Sequence, residues 1–249
     1  MERTMPERLT AEFVGALTLI YIGAGSIVAM TTFGVGSVGI IGIALAHGIA
    51  IAVMVSALGH VSGAHFNPAI TIGAWITQKI KSSHALAYII TQLAGGSLGA
   101  LLLRASLPKR VVEQAAYGVP AVVQGLSNGQ AVLIEFILTF FLVWVIFATA
   151  IDPEGAFNKV AGLAIGFVIT MDILMGGFFT GAAMNPARHF GPALLGGKWS
   201  GWWVYWVGPV AGAIVAAALY DGLIIKRPGS VAAEEAPHGV GAHGEETMS

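Results

Sequence analysis

Two copies of one triplet, Asn67-Pro68-Ala69 and Asn185-Pro186-Ala187, stand 118 residues apart. Each joins a residue that caps helices to one that begins them. An Asn side chain accepts from the first free N–H groups of a helix, and Pro at the first helical position gives up no hydrogen bond. Both triplets lie in strongly apolar sequence, with no Asp, Glu, Lys or Arg from Phe13 through Gln78. Helix starts at these places fall inside a bilayer, where unsatisfied N–H groups are tolerable only against buried protein or a wet cavity. Two of them imply a polar path through the membrane. As caps, Asn67 and Asn185 hold their side-chain oxygens on their own helices and offer amide N–H groups to a passing water oxygen. The two helix starts each carry roughly half a positive charge. Aimed at one midplane point, they repel cations, hydronium included, while a neutral dipole passes. Arg188 follows the second triplet, and an Arg inside a membrane is costly enough to mark a functional site. Satisfaction by loop carbonyls is its structural alternative, and the two roles can coexist.

Composition sets the medium in which this chemistry operates. Charged residues are 10% and hydrophobic residues 56% of the 249-residue chain, against roughly 25% charged residues in a soluble domain. A water-soluble globular protein is excluded. The net charge of −1 and the lack of a basic run give no reason to expect nucleic acid as a partner. Without Cys there are no disulfides, thiolate metal sites or Cys nucleophiles. No serine elbow, metal-ligand cluster or phosphate loop is visible, so neither an enzyme nor a cofactor or metal site is expected. The short charged stretch Met1 to Thr10 leads straight into a long apolar segment and does not read as a cleaved signal peptide.

The elements that must position the triplets follow from apolar length. Stretches of about 20 residues span a core roughly 30 Å thick, and six are expected, over 9–31, 38–59, 83–104, 129–150, 159–178 and 201–224. The pieces after the triplets, 67–78 and 185–195, are too short to cross and read as half-spans. Residues 105–128 form the one long inter-span loop and divide the chain into two halves, 1–104 and 129–226; the polar segment 227–249 reads as a solvated, disordered tail. The halves repeat one another. Glu12 and Glu135 open the first and fourth spans, Gly48 and Gly166 sit in the second and fifth, and Ser62-Gly63-Ala64-His65-Phe66 parallels Thr180-Gly181-Ala182-Ala183-Met184. Three spans per half turn the second half upside down, so an inverted repeat with half-helices meeting near the midplane is expected. With both termini cytoplasmic, that side holds seven Lys and Arg against four outside, which favours this orientation. Gly95, Gly96 and Gly99, with Gly208 and Gly212, give the third and sixth spans faces for tight crossing.

Taken together, the doubled Asn-Pro-Ala, the Ser-Gly-Ala-His before the first, the Ala-Arg-x-Phe-Gly-Pro-Ala after the second and the paired Glu resemble the aquaporin (major intrinsic protein) family over about residues 8–225. The resemblance implies an all-α integral membrane protein with six transmembrane helices and two re-entrant half-helices. It further implies a homotetramer in the lipid bilayer with one pore per subunit, and passive conduction of water or small neutral solutes. It places Arg188 at the narrowest part of the pore, with His47, Ile173 and Ala182 as the other constriction positions. That quartet, and the run Ile173 to Gly177, look more like the plant tonoplast intrinsic proteins than like orthodox water channels. Ile for His removes one polar wall and Ala182 is small, so ammonia, hydrogen peroxide or urea become plausible passengers beside water. Glycerol facilitation is the alternative. Relatives that conduct glycerol usually carry Asp and a basic residue where this chain has His189 and Ala193, and Tyr205-Trp206 matches the water-selective pattern. An ion-coupled secondary transporter would share the inverted repeat but needs coupling-ion ligands.

The resemblance also assigns Glu12 and Glu135 as buried acids that accept hydrogen bonds from the loop entering each half-helix, and His65 as a residue presenting its carbonyl to the pore. Proton relay is the rival role for the acids. Asp172 stands where tonoplast-type relatives usually have Asn; it could bind an ion, face a neighbouring subunit or be neutralised by burial, and a helix contact is favoured. His60, His65 and His84 invite a pH gate, against which hydrogen-bonded scaffolding is the simpler reading. The pair His238 and His243 is weak as a metal site. The expected location is the cell membrane, plasma or inner, crossed several times.

Overall fold

A computed structural model describes residues 3–34, 39–155 and 158–225. The expected tail, with His238 and His243, lies outside the described residues, as do residues 35–38 of the link between the first two spans. Nine α-helices occur among the described residues: α1 (Met5–Thr32), α2 (Gly39–Ser62), α3 (Pro68–Ile76), α4 (Ser82–Ser106), α5 (Lys109–Gln114), α6 (Asn128–Ile146), α7 (Ala161–Gly176), α8 (Pro186–Gly196) and α9 (Val204–Leu223). No strand occurs among them.

Each start has a local cause. Glu7 accepts from the backbone N–H of Thr4 at 2.7 Å at the head of α1, and Gln130 does the same for Ser127 at 3.0 Å ahead of α6. These are the reciprocal caps expected when a hydroxyl residue is followed three positions on by Glu or Gln. Asn67 and Asn185 begin α3 and α8 with Pro at the first position, and α8 stops at Gly197, whose φ of 63° is the left-handed close that glycine favours. Side chains such as Ile49, Val53, Leu86, Leu163 and Phe167 are more than half exposed on long apolar helices. Such faces call for an apolar surrounding rather than water.

Five helices are long and apolar enough to cross a bilayer, α6 together with the wider turn Phe147–Ile151 counting as one. The fifth span, expected over 159–178, is a helix of only 16 residues, about 24 Å long at 1.5 Å per residue. A tight turn at Asn158–Val160 precedes it and the turn 177–180 follows it. The loop 105–128 differs more from its expectation. It contains α5 and then three successive left-handed residues, Ala116, Tyr117 and Gly118, with φ of 47°, 59° and 67°.

Glycines set the closest approaches. A Cβ at Gly99 would meet the Leu17 carbonyl at 2.6 Å, and one at Gly208 would meet the Val132 carbonyl at 2.8 Å. The third and sixth spans are thus tightly packed, but each against the first span of its own half, α4 on α1 and α9 on α6, where the glycine faces alone had suggested close crossing without naming a partner. The half-helices cross over: α8 seats on α4 and α3 on α9. Gly48 and Gly166 face each other at the centre of the α2/α7 contact, a Cβ on Gly48 falling 2.5 Å from the Gly166 carbonyl. Both half-helices are therefore gripped by spans of the opposite half.

Candidate functional site

Ser62 to Phe66 and Thr180 to Met184 enter the half-helices with the same backbone shape. Gly63, Ala64 and Phe66 have φ of 89°, 51° and 51°, and Gly181, Ala182 and Met184 have 83°, 42° and 52°. Left-handed non-glycine residues cost about 1–3 kcal/mol each and persist only where surroundings over-determine them. Two carboxylates do so here. Glu12, fully buried, accepts from the N–H groups of His65 (3.0 Å) and Phe66 (2.7 Å), from Ser62 Oγ (2.6 Å) and from Gln92 Nε2 (2.7 Å). Glu135, also fully buried, accepts from Ala183 N–H (2.9 Å), Met184 N–H (2.7 Å) and Thr180 Oγ1 (2.7 Å). Both are thus used as acceptors for loop donors, which is what a buried acid requires.

The two Asn side chains join the loops at the centre. Asn67 Oδ1 accepts from Ala69 N–H at 2.9 Å, and Asn185 Oδ1 from Ala187 N–H at 2.9 Å and Arg188 N–H at 3.3 Å. Their amide nitrogens are also partly committed to the protein. Asn67 Nδ2 donates to the Met184 carbonyl at 2.8 Å, and Asn185 Nδ2 to the Phe66 carbonyl at 3.0 Å. An amide has two hydrogens, so one from each Asn ties it to the other loop and one remains. Both Asn lie on the wall of the same cavity.

That cavity, of about 650 Å³, also takes in His47, Ile173, Ala182 and Arg188. Arg188 is only 2% exposed. Its Nε donates to His47 Nε2 at 3.1 Å and its Nη1 to the Gly118 carbonyl at 2.9 Å. Its buried Nη2 has no protein partner. Since His47 Nε2 accepts from the guanidinium, the ring proton sits on Nδ1 and is donated to the Ile43 carbonyl at 2.8 Å. His47 therefore turns an acceptor towards Arg188. Ile173 and Ala182 supply an apolar wall beside this polar one.

His65 lies on the same wall and its Nδ1 is 3.0 Å from Thr71 Oγ1, which itself donates to the Asn67 carbonyl. His60 rims the far mouth, whereas His84 and Asp172 are off the wall. Asp172 is buried at 1% exposure and its Oδ2 has no protein partner. His189 stacks on Tyr205 with ring centres 4.4 Å apart, away from the cavity.

Five contributors carry no motif. Gly118 presents the carbonyl that holds Arg188, and only its position in Tyr117-Gly118-Val119-Pro120 signals a turn. Gly23 clears space for His47, since a Cβ there would fall 2.5 Å from Nε2. Gln92 bridges Glu12 to Thr71 at 2.7 and 2.9 Å. Tyr88 and Tyr205 donate to the Ser62 and Thr180 carbonyls, each at 2.8 Å. Their equivalent places in the two halves are the one signal that could have found them.

The profile of the family described as major intrinsic protein matches residues 2–220. Aquaporin TIP1-2 of Zea mays is 42% identical over 224 residues, covering 88% of this chain and 86% of that protein. Probable aquaporin TIP3-2 of Arabidopsis thaliana is 42% identical over 237 residues, covering 90% and 87%. Among solved structures, the aquaglyceroporin from Plasmodium falciparum superposes with a TM-score of 0.81 at 25% identity, covering 89% of this chain and 97% of that one.

Proposed function

The chain belongs to the major intrinsic protein family, and from that premise we propose how its residues divide the work of a passive channel. It is a multi-pass membrane protein that conducts water and is not an enzyme. Asn67 and Asn185 present one amide hydrogen each to the water in transit, at the point where α3 and α8 aim their positive ends. Arg188 supplies the second barrier to cations, with His47, Ile173 and Ala182 completing the constriction. Glu12 and Glu135 hold the strained loops, and His65 contributes backbone to the wall. The observation that carries this reading is the single cavity reaching from the paired Asn to the unpartnered Nη2 of Arg188.

With Ile173 and Ala182 on one side, the opening is amphipathic and passes ammonia, urea or hydrogen peroxide beside water. Glycerol flux is the second reading, favoured only by the likeness to the Plasmodium falciparum aquaglyceroporin. A permeability series for the five solutes in proteoliposomes tests both, and ammonia tightness together with fast glycerol flux would reverse their order.

The division into inverted halves, 1–104 and 129–226, is supported by the exchanged seats of α3 and α8. Four chains assemble into a homotetramer with one pore each, which native mass spectrometry in mild detergent tests. The chain resides in the cell membrane, plasma or inner, with both termini cytoplasmic, the latter supported by the Lys and Arg bias. The tonoplast-type resemblance points instead to a vacuolar membrane, and membrane fractionation decides between them.

A further inference from the structure

We propose that Thr71 and Gln92, both off the cavity wall, position the His65 ring so that a proton-free Nε2 faces the cavity as an acceptor for N–H donors in transit. The inference deepens the channel reading above and rests on it. Thr71 Oγ1 has three polar neighbours: Gln92 Nε2 at 2.9 Å, the Asn67 carbonyl at 3.0 Å and His65 Nδ1 at 3.0 Å. A hydroxyl has one hydrogen to give. The amide nitrogen can only donate and the carbonyl can only accept, so that hydrogen goes to Asn67. All three contacts are hydrogen bonds only if His65 Nδ1 carries the ring proton and donates to Oγ1. The neutral ring then has a bare lone pair on Nε2. That nitrogen lies at the open edge of the loop. Among the described residues only Nδ1 of the ring is hydrogen-bonded, and a Cβ on Gly63, itself exposed, would stand 3.4 Å from Nε2.

Gln92 cannot turn over. Its Nε2 also donates to Glu12 Oε2 at 2.7 Å, and a flipped amide would set its oxygen against that carboxylate. The arrangement leaves Gln92 Oε1 buried with no protein partner, which costs stability. Loop support does not require it. In the second half Ala183, His189 and Pro209 stand at the places of His65, Thr71 and Gln92, and there Glu135 holds a loop of the same shape with two backbone N–H groups and the Thr180 hydroxyl. The series Glu12, Gln92, Thr71 and His65 thus serves something that the scaffold of the other half does without. His47 cannot supply it, because its Nε2 is occupied by Arg188. The free hydrogens of Asn67 and Asn185 are donors, and a solute bound to them needs an acceptor for its own hydrogens. Ammonia, with one lone pair and three N–H groups, accepts from an Asn amide and donates to His65 Nε2.

The test uses the full chain in proteoliposomes and reads ammonia permeability relative to water permeability at about pH 8, where free imidazole is neutral. Thr71→Val should lower that ratio about threefold, within the worth of one neutral hydrogen bond. Gln92→Met should lower it in the same direction, and Thr71→Ser, which keeps the hydroxyl, should match the parent. A second readout is 15N NMR of histidine-labelled protein, with the His65 signals assigned by difference from His65→Gln. It reports which ring nitrogen carries the proton. The proton should sit on Nδ1 in the parent and in Thr71→Ser, and move towards Nε2 in Thr71→Val. A parent with the proton on Nε2 overturns the proposal, as does an ammonia-to-water ratio unchanged in Thr71→Val. A ratio that falls as far in Thr71→Ser as in Thr71→Val also overturns it and makes Thr71 a packing residue. If the parent passes water and no ammonia, it is the solute reading that fails, and the ring tautomer alone decides the positioning.

Discussion

Arg188 is held on two sides and open on a third, and that asymmetry defines what its loss should do. His47 Nε2 and the Gly118 carbonyl fix the guanidinium plane, leaving Nη2 for the cavity. At about 4 Å and an effective dielectric near 20, one unit charge opposes a passing cation by roughly 4 kcal/mol, an upper range for this site. Arg188→Val should therefore raise proton or cation leak by on the order of tenfold or more while water flux persists, read by a pH-sensitive dye in vesicles. Unchanged proton tightness would remove Arg188 from the barrier. His47→Phe combined with Ile173→His should lower the ammonia-to-water ratio, because it replaces the acceptor facing Arg188 and restores a polar wall opposite. An unchanged ratio would show that the constriction lies elsewhere. Glu135 makes a third case. Glu135→Gln turns one of its acceptor oxygens into a donor, so a loop N–H or the Thr180 hydroxyl loses its partner, at a cost of about 1–3 kcal/mol. A fall in thermal stability of the detergent-solubilised protein checks this. A variant as stable as the parent would assign the loop strain to some other support.

Elements show which features a sequence exposes and which it hides. The caps of α3 and α8 are legible because Asn and Pro act on their own helix within three residues, and the spans because lipid demands a run of apolar side chains of fixed length. The quartet is reachable only through the family resemblance, its positions carried over by their spacing from those caps. Gly118 was not legible: its partner Arg188 is 70 residues away, and a loop of Pro, Gly and Val looks like a solvated connection until its turn is seen to fold back onto α1 and α8. The same holds for the seats of α3 on α9 and α8 on α4, since a glycine face announces close packing but not with which helix. Prediction belongs here too. Gly118 has φ +67°, and a Cβ would stand 2.8–2.9 Å from the Ala24 carbonyl oxygen, Cα and Cβ. Gly118→Ala should displace the turn, take its carbonyl off Arg188 and alter solute ratios more than it alters the unfolding temperature. Solute ratios equal to those of the parent would show that Arg188 does not depend on this loop.

At the scale of the whole molecule, barrier and passage are produced by one arrangement repeated with opposite sense. Each half contributes a strained loop, a buried acid to hold it, and a half-helix that is carried by the other half's last span. Neither loop can relax alone, because Asn67 is bonded to Met184 and Asn185 to Phe66 across the centre. The wall around them is aliphatic on one side and hydrogen-bonding on the other, and on the proposed reading water in transit exchanges partners along it. Flux through such a path should have the weak temperature dependence of water diffusing in bulk, where permeation of lipid is steep. The absence of Cys from all 249 residues adds a sharper requirement. A mercurial acts by capturing a thiol, and this wall has none to offer. Water flux in vesicles should therefore be fast, weakly activated and unchanged by mercurials at concentrations that modify free thiols completely. Inhibition that a thiol reductant reverses would mean that the conducting species is another protein in the preparation.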